Sequence, residues 1–113
     1  MQVNEELNKI LNAAFNEAKK RNHEFITPEH ILYASLFFES GLDIIKNCGG
    51  NVSRLSKKLE MFFNEKLEKV ENQEPIESSG FQSVIENALY HTASAQKEEI
   101  DIGDIYASLF EEK

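Results

Sequence analysis

The chain has 113 residues, 41% of them hydrophobic, with 12 Lys and Arg set against 20 Asp and Glu for a formal charge of −8. This is enough material for one domain with one core, without metal or disulfide staples. The charge opposes a phosphate backbone and so excludes general nucleic-acid binding, and a single cysteine, Cys48, excludes an internal disulfide or a cysteine-rich zinc site.

No apolar run approaches the ~20 residues that cross a bilayer, so no membrane contact is expected. Met1-Gln2-Val3-Asn4-Glu5-Glu6 lacks the basic start and apolar block of a signal peptide, which points to the cytoplasm. The first helix is predicted from about Asn4 to Asn22. Leu7, Ile10, Leu11, Ala14, Phe15 and Ala18 follow the spacing of one buried face, with Asn4 as cap, acids in the first turn and Lys19, Lys20 and Arg21 at the end. In Phe25-Ile26-Thr27-Pro28-Glu29-His30-Ile31, Thr27 caps a second helix and Pro28 takes its first position, where no N–H is missed. Ile26 and Ile31 match a hydrophobic staple, and Ile31, Leu32, Ser35, Leu36 and Phe38 carry the buried side.

A short third helix is predicted over Gly41–Cys48, closed by a left-handed Gly49. A fourth runs from near Asn51 to about Lys69, its face traced by Val52, Leu55, Leu59, Phe62, Phe63 and the stem of Lys66. Glu71–Glu77 reads as a polar linker. Ser79-Gly80-Phe81-Gln82 fits a capping box for a fifth helix, and Asp101 caps a sixth carrying Ile105, Tyr106 and Leu109. No strand is required, and the fold class is all-α.

The two halves resemble each other. Ala13, Phe15 and Ala18 match Ala88, Tyr90 and Ala93, and Tyr33-Ala34-Ser35-Leu36-Phe37 recurs as Tyr106-Ala107-Ser108-Leu109-Phe110. Matching the caps Thr27 and Asp101 gives a register between the two. The expected organisation is a single domain, 1–113: repeat one over about 4–70, the linker over about 71–77 and a truncated repeat two over about 78–113. Leu109 and Phe110 at the end suggest that the natural domain continues.

Chemistry is sparse. His23, Glu24 and His30 evoke a metal site, but seven residues and a helix start separate the histidines, where a zinc-protease helix needs four. A metal- or thiol-dependent enzyme using His23, Glu24, His30 or Cys48 is the alternative. Against it, a lone cysteine before Gly49-Gly50 is expected to be a small buried residue, and His91 to be exposed and inert. No P-loop is present. Of the adjacent pairs Phe37-Phe38 and Phe62-Phe63, one member each is expected to be partly exposed; Phe81 belongs to the core.

Ala13-Ala14-Phe15, the run His23-Glu24-Phe25-Ile26-Thr27-Pro28-Glu29-His30-Ile31-Leu32, Phe81-Gln82-Ser83-Val84-Ile85 and Cys48 before two glycines together resemble the Clp N-terminal domain of the Hsp100 AAA+ unfoldases. The acidic linker and His-Glu-Phe run are most similar to the ClpA branch. The resemblance implies two pseudo-twofold-related helical repeats and a domain without catalysis or cofactor of its own. It further implies that this domain docks ClpS-type adaptors and protein substrates for a parent that uses ATP and Mg and works with the ClpP protease. It places adaptor contacts at Glu24 and Glu29, with His23 and Thr27 shaping the same surface. Glu29 would also serve its helix dipole, worth about 0.3–1 kcal/mol.

Overall fold

Asn4 opens the first helix as expected: its side-chain oxygen accepts the backbone N–H groups of Glu6 and Leu7 at 3.0 and 3.2 Å. In the structure, a computed structural model describing residues 2–71 and 73–111, the elements follow as β1 (Gln2–Val3), α1 (Glu5–Lys20), β2 (Phe25–Ile26), α2 (Pro28–Ser35) and α3 (Glu39–Asn47). Next come α4 (Val52–Glu65), β3 (Ile76–Glu77), α5 (Ser79–Ser94), β4 (Glu99–Ile100) and α6 (Ile102–Glu111). Helices dominate, but the all-α expectation is corrected in one respect. Four two-residue strands form two parallel ribbons, β1 with β4 and β2 with β3. Strands this short carry no hydrophobic period, so only tertiary pairing reveals them. The second ribbon also claims the end of the expected linker: the N–H groups of Ile76 and Ser78 donate to the carbonyls of Glu24 and Ile26, each at 3.0 Å.

Local chemistry sets most ends. Gly49 adopts φ 79°, and Gly50 N–H returns to the Ile45 carbonyl at 2.9 Å, closing α3 in the left-handed manner expected. Gly49→Ala should therefore cost on the order of 1–2 kcal/mol from the left-handed backbone alone, read as a lower thermal midpoint; nothing lies within 4 Å of the added Cβ to obscure the effect. The cap of α5 is Ser78, one residue before the predicted one, with its hydroxyl accepting Phe81 N–H at 3.0 Å. α4 stops at Glu65, short of Lys69, and Lys66 is an exposed cap, not part of the buried face.

The packing pairs helices. α1 lies chiefly on α2 and α5 on α6; α2 also meets the second pair, α3 bridges α6 and α2, and α4 packs on α2 and α3. The core runs through both: Leu7, Ile10 and Ala14 of α1, Ile31 of α2, Phe63 of α4, Val84 and Ala88 of α5 and Ile105 of α6 are essentially inaccessible.

The pairs correspond closely, 74 residues apart. α1 and α5 are each 16 residues long, and their buried positions Leu7, Ile10, Ala14 and Ala18 match Phe81, Val84, Ala88 and Thr92. Asn22 and Gln96, each ending its helix, have φ 61° and 60°. The ribbon registers Gln2 with Glu99 and Phe25 with Ile76 correspond as well. The Tyr-Ala-Ser-Leu-Phe identity, at a spacing of 73, is therefore out of structural register. Tyr33 is buried, and its true counterpart is the exposed Ala107. Leu109 is half-buried, and the side chain of Phe110, named with it in the expectation of a longer domain, is outside what is described.

Candidate functional site

The most chemically loaded segment is the turn from α1 through β2 into α2. Its backbone is tied down on both sides. Glu24 N–H donates to the Glu68 carbonyl at 3.1 Å while its own carbonyl accepts Ile76. Asn22 accepts Val70 N–H at 2.7 Å. From this rigid track the Glu24 side chain leaves half-buried, and Glu29, at the second position of α2, is half-buried too. Neither carboxylate has a cationic partner among the described residues. Glu29 borders a cleft of about 410 Å³ with Thr27, Pro28, Ser78, Gly80 and Leu109.

The other two expected site residues point inward. His23 is 2% exposed and Thr27 8%, so both lie beneath the surface that carries Glu24 and Glu29. His30, fully buried, joins them: Thr27 N–H donates to His30 Nδ1 at 2.9 Å, and the Thr27 hydroxyl is 3.0 Å from the same atom. A histidine thus takes the third-position role that Glu or Gln fills in an ordinary capping box. His30 Nε2 lies 2.8 Å from His23 Nδ1. The His30 ring stacks on Phe63, centroids 4.7 Å apart and 13° from parallel, and His23 leans on the same ring at 5.6 Å. Arg21 closes the outside, its guanidinium 5.0 Å from the Phe63 centroid and 5.4 Å from that of Tyr33, while Nε holds Glu17 at 2.8 Å.

Burial pushes both imidazoles toward neutrality. It lowers the pKa of His30 to about 3, with the neighbouring His23 and Arg21 charges acting the same way. Burial lowers that of His23 too, against a smaller opposing influence from the Phe63 carbonyl. Burial also raises the Tyr33 phenol.

Among the described residues, the groups weighed as metal ligands or nucleophile do not gather at one place. The facing nitrogens of His23 and His30 are used on each other, and no three His, Cys, Asp or Glu side chains converge among the described residues. Cys48 is exposed, contrary to the buried position expected, because α3 ends at the surface and its last turn turns outward. Of the adjacent aromatics, Phe37 is 71% exposed and Phe63 not at all, with Phe38 and Phe62 half-buried. No helix among the described residues is long and apolar enough to cross a membrane.

Two surface features escaped the sequence reading. Phe25 and Ile76, partners across the β2–β3 ribbon, are both exposed. A groove of about 530 Å³ runs between α1 and α5, floored by Leu11, Phe15, Ile26, Phe81 and Ile85 and rimmed by Glu77 and Glu86. The signal for it was present in α1. Six apolar residues make a wider arc than one partner helix covers, and Leu11 and Phe15 are the two left half-buried.

Among the described residues, the paired helices thus carry an acidic edge at Glu24 and Glu29 and an apolar groove between α1 and α5. The chain belongs to the family of Clp repeat N-terminal domains, whose model matches residues 2–113. A ClpA homolog protein of Fuscovulum blasticum is 29% identical over 111 residues; the match takes in 95% of this chain but only 14% of that protein. Among solved structures, the N-domain of ClpV from Vibrio cholerae superposes with a TM-score of 0.82 at 19% identity, covering 95% of this chain and 65% of that one. A structure from preliminary investigations of a malarial protein secretion system gives 0.83 at 20%, covering 96% and 76%.

Proposed function

We propose that this chain is the docking domain of a ClpA-like AAA+ unfoldase: a non-catalytic module that receives ClpS-type adaptors and protein substrates. The parent would use ATP and Mg and pass its cargo to the ClpP protease. The observation that carries this reading is the pair of half-buried carboxylates Glu24 and Glu29, without a cationic partner among the described residues and fixed on a hydrogen-bonded turn, in a chain that the family model matches over residues 2–113. Acids held this way offer orientation and a faster encounter to a basic or hydrogen-bond-donating partner. The exposed Phe37 and the α1–α5 groove offer apolar contact for substrate segments. A flexible link to the ATPase ring would then raise the local concentration of delivered cargo.

The constant spacing of 74 between α1–α2 and α5–α6, with both ribbons in equivalent register, supports the finer reading of the fold as a double repeat related by a pseudo-twofold axis. Repeat one then comprises α1 to α4, and repeat two is represented by α5 and α6.

Calorimetric titration with a ClpS-type adaptor tests the function. Glu24→Lys combined with Glu29→Lys should leave the circular dichroism spectrum unchanged and weaken adaptor binding by roughly 2–5 kcal/mol if the contacts are desolvated, less at a wet rim. Unchanged affinity in the folded double variant would remove both acids from the interface. Wild type that binds no adaptor would remove the adaptor-docking role itself.

A further inference from the structure

We propose that the buried His23–His30 pair is an acid-sensitive latch that fixes the β2–α2 segment, and with it Glu24 and Glu29, while permanent charges hold the equivalent segment before α6.

The sensitivity follows from the direction of the hydrogen bonds. Thr27 N–H can only donate, so His30 Nδ1 must be bare and the His30 proton sits on Nε2. That proton points at His23 Nδ1, which must then be bare as well, leaving the His23 proton on Nε2. His23 Nε2 is the one buried side-chain polar atom without a hydrogen-bond partner among the described residues. Every proton of the relay is thus assigned, and none can be added without loss. A proton added to His30 Nδ1 evicts the Thr27 amide from its acceptor; a proton added to His23 Nδ1 faces the His30 N–H head-on. The first event opens the cap of α2, the second breaks the bond between the rings, and both place a charge against the Phe63 ring in a dry core.

The groups that face the pair do not outweigh burial: the Phe63 carbonyl favours a charged His23, but by less than burial disfavours it. From α1 come Arg21 and Glu17, already paired with each other; Glu60 of α4 lies 3.8 Å from the same guanidinium; Lys69 follows α4; the Tyr33 hydroxyl belongs to α2. The two acids are engaged by Arg21, and the remaining Lys69 repels a charged His23.

The second helix pair makes the contrast. Lys97 and Asp104 stand 74 residues after His23 and His30. Asp101 N–H donates to Asp104 Oδ2 at 3.0 Å, as Thr27 N–H does to His30, and Lys97 Nζ reaches that same oxygen at 2.8 Å. One architecture is therefore latched twice: once by neutral buried rings, once by a surface ion pair that keeps its charges throughout the range in which histidine titrates.

The unfolded or opened segment has ordinary histidines and binds more protons than the closed one below about pH 6.5. The latch is therefore complete above that pH and weakens as pH falls toward about 3, the value to which burial takes His30. Amide hydrogen exchange at pH 7, 6 and 5, above the usual carboxylate range, reads it directly. Protection of Thr27, Ile76 and Ser78 should fall by up to about tenfold per pH unit for each proton taken up, while Gln2 and Asn4 in the β1–β4 ribbon hold. Nitrogen-15 imidazole spectra at pH 7 should show both rings neutral with bare Nδ1. His30→Gln keeps an acceptor for the Thr27 amide and should flatten the decline; adding His23→Gln should abolish it. Equal loss in both ribbons, a proton on either Nδ1 at pH 7, or an unchanged decline in folded His30→Gln would overturn the latch. If neither variant folds, the comparison of the two ribbons in the wild type still decides. Exchange reads the segment itself, so the result stands apart from whether any adaptor binds.

Discussion

Phe63→Ala is expected to be the most damaging single substitution in the chain, lowering stability by about 3–5 kcal/mol. The ring is wholly buried and serves four neighbours at once: it stacks under His30, supports His23, meets Tyr33 edge-on with centroids 5.3 Å apart and lies beneath Arg21. Two of those neighbours are polar rings kept neutral by the dryness Phe63 provides. A cavity here either stays empty or admits water to them, and both outcomes loosen the β2–α2 turn. Against a domain stability of ~5–15 kcal/mol, the loss is a large fraction of the whole, visible as a lower urea midpoint and a thermal midpoint reduced by on the order of 10 °C or more. A fall of less than ~1 kcal/mol would mean that the pair does not depend on this ring. Phe62→Ala, one residue away and half-buried, should cost clearly less.

The second large effect concerns Gly41, where two tendencies oppose each other. Alanine is the better helix former by about 1 kcal/mol, so helix propensity alone makes Gly41→Ala stabilising. The structure reverses the sign. A Cβ at Gly41 would stand 2.2 Å from the Ser35 carbonyl oxygen and 2.8 Å from its carbon, both backbone atoms of the last residue of α2. Backbone cannot swing aside, so α3 must lift from α2, an overpacking cost of ~1–3 kcal/mol or more that exceeds the propensity gain. Gly80→Ala is the control. Its nearest neighbours are Pro28 side-chain atoms at 3.7 Å, an ordinary contact, and there the helix preference should prevail. The two variants are expected to move the thermal midpoint in opposite directions. A Gly41→Ala chain as stable as wild type would show that α3 is not seated on the end of α2.

Features decided within a few residues were legible in the sequence. Thr27 before Pro28, Asn4 before two acids and Asp101 before the sixth helix are local hydrogen-bond chemistry, and each caps a helix. Gly49 announced the end of α3 because only a residue without Cβ takes that backbone cheaply. Where local signals were degenerate the reading slipped, as between the adjacent Ser78 and Ser79. The likeness of the two helix pairs is visible in sequence, and of the registers it offers the cap-to-cap match of Thr27 with Asp101 agrees with the structure, while the Tyr-Ala-Ser-Leu-Phe identity is one residue off because sequence does not display burial. Residue type alone puts Cys48 inside, because cysteine usually is, yet nothing local says which way a helix end faces.

The site was legible in part. Glu24 and Glu29 stand out only through the family resemblance, since two surface acids carry no signature of their own. The His23–His30 contact was out of reach: seven residues of separation gave no hint that α1's end and α2's start fold their rings together on Phe63. The α1–α5 groove was foreshadowed by an apolar arc too wide for one partner, a cue that becomes usable only when the packing of α2 is known.

Whether the β2–α2 turn is a docking surface is tested most directly by an amide spectrum of the labelled chain titrated with unlabelled ClpS-type adaptor. The predicted shifts centre on Glu24, Phe25, Glu29 and the partner residues Ile76 and Glu77, with the β1–β4 ribbon undisturbed. Saturable shifts confined to the α1–α5 groove or to α6, with Glu24 and Glu29 unmoved, would contradict it.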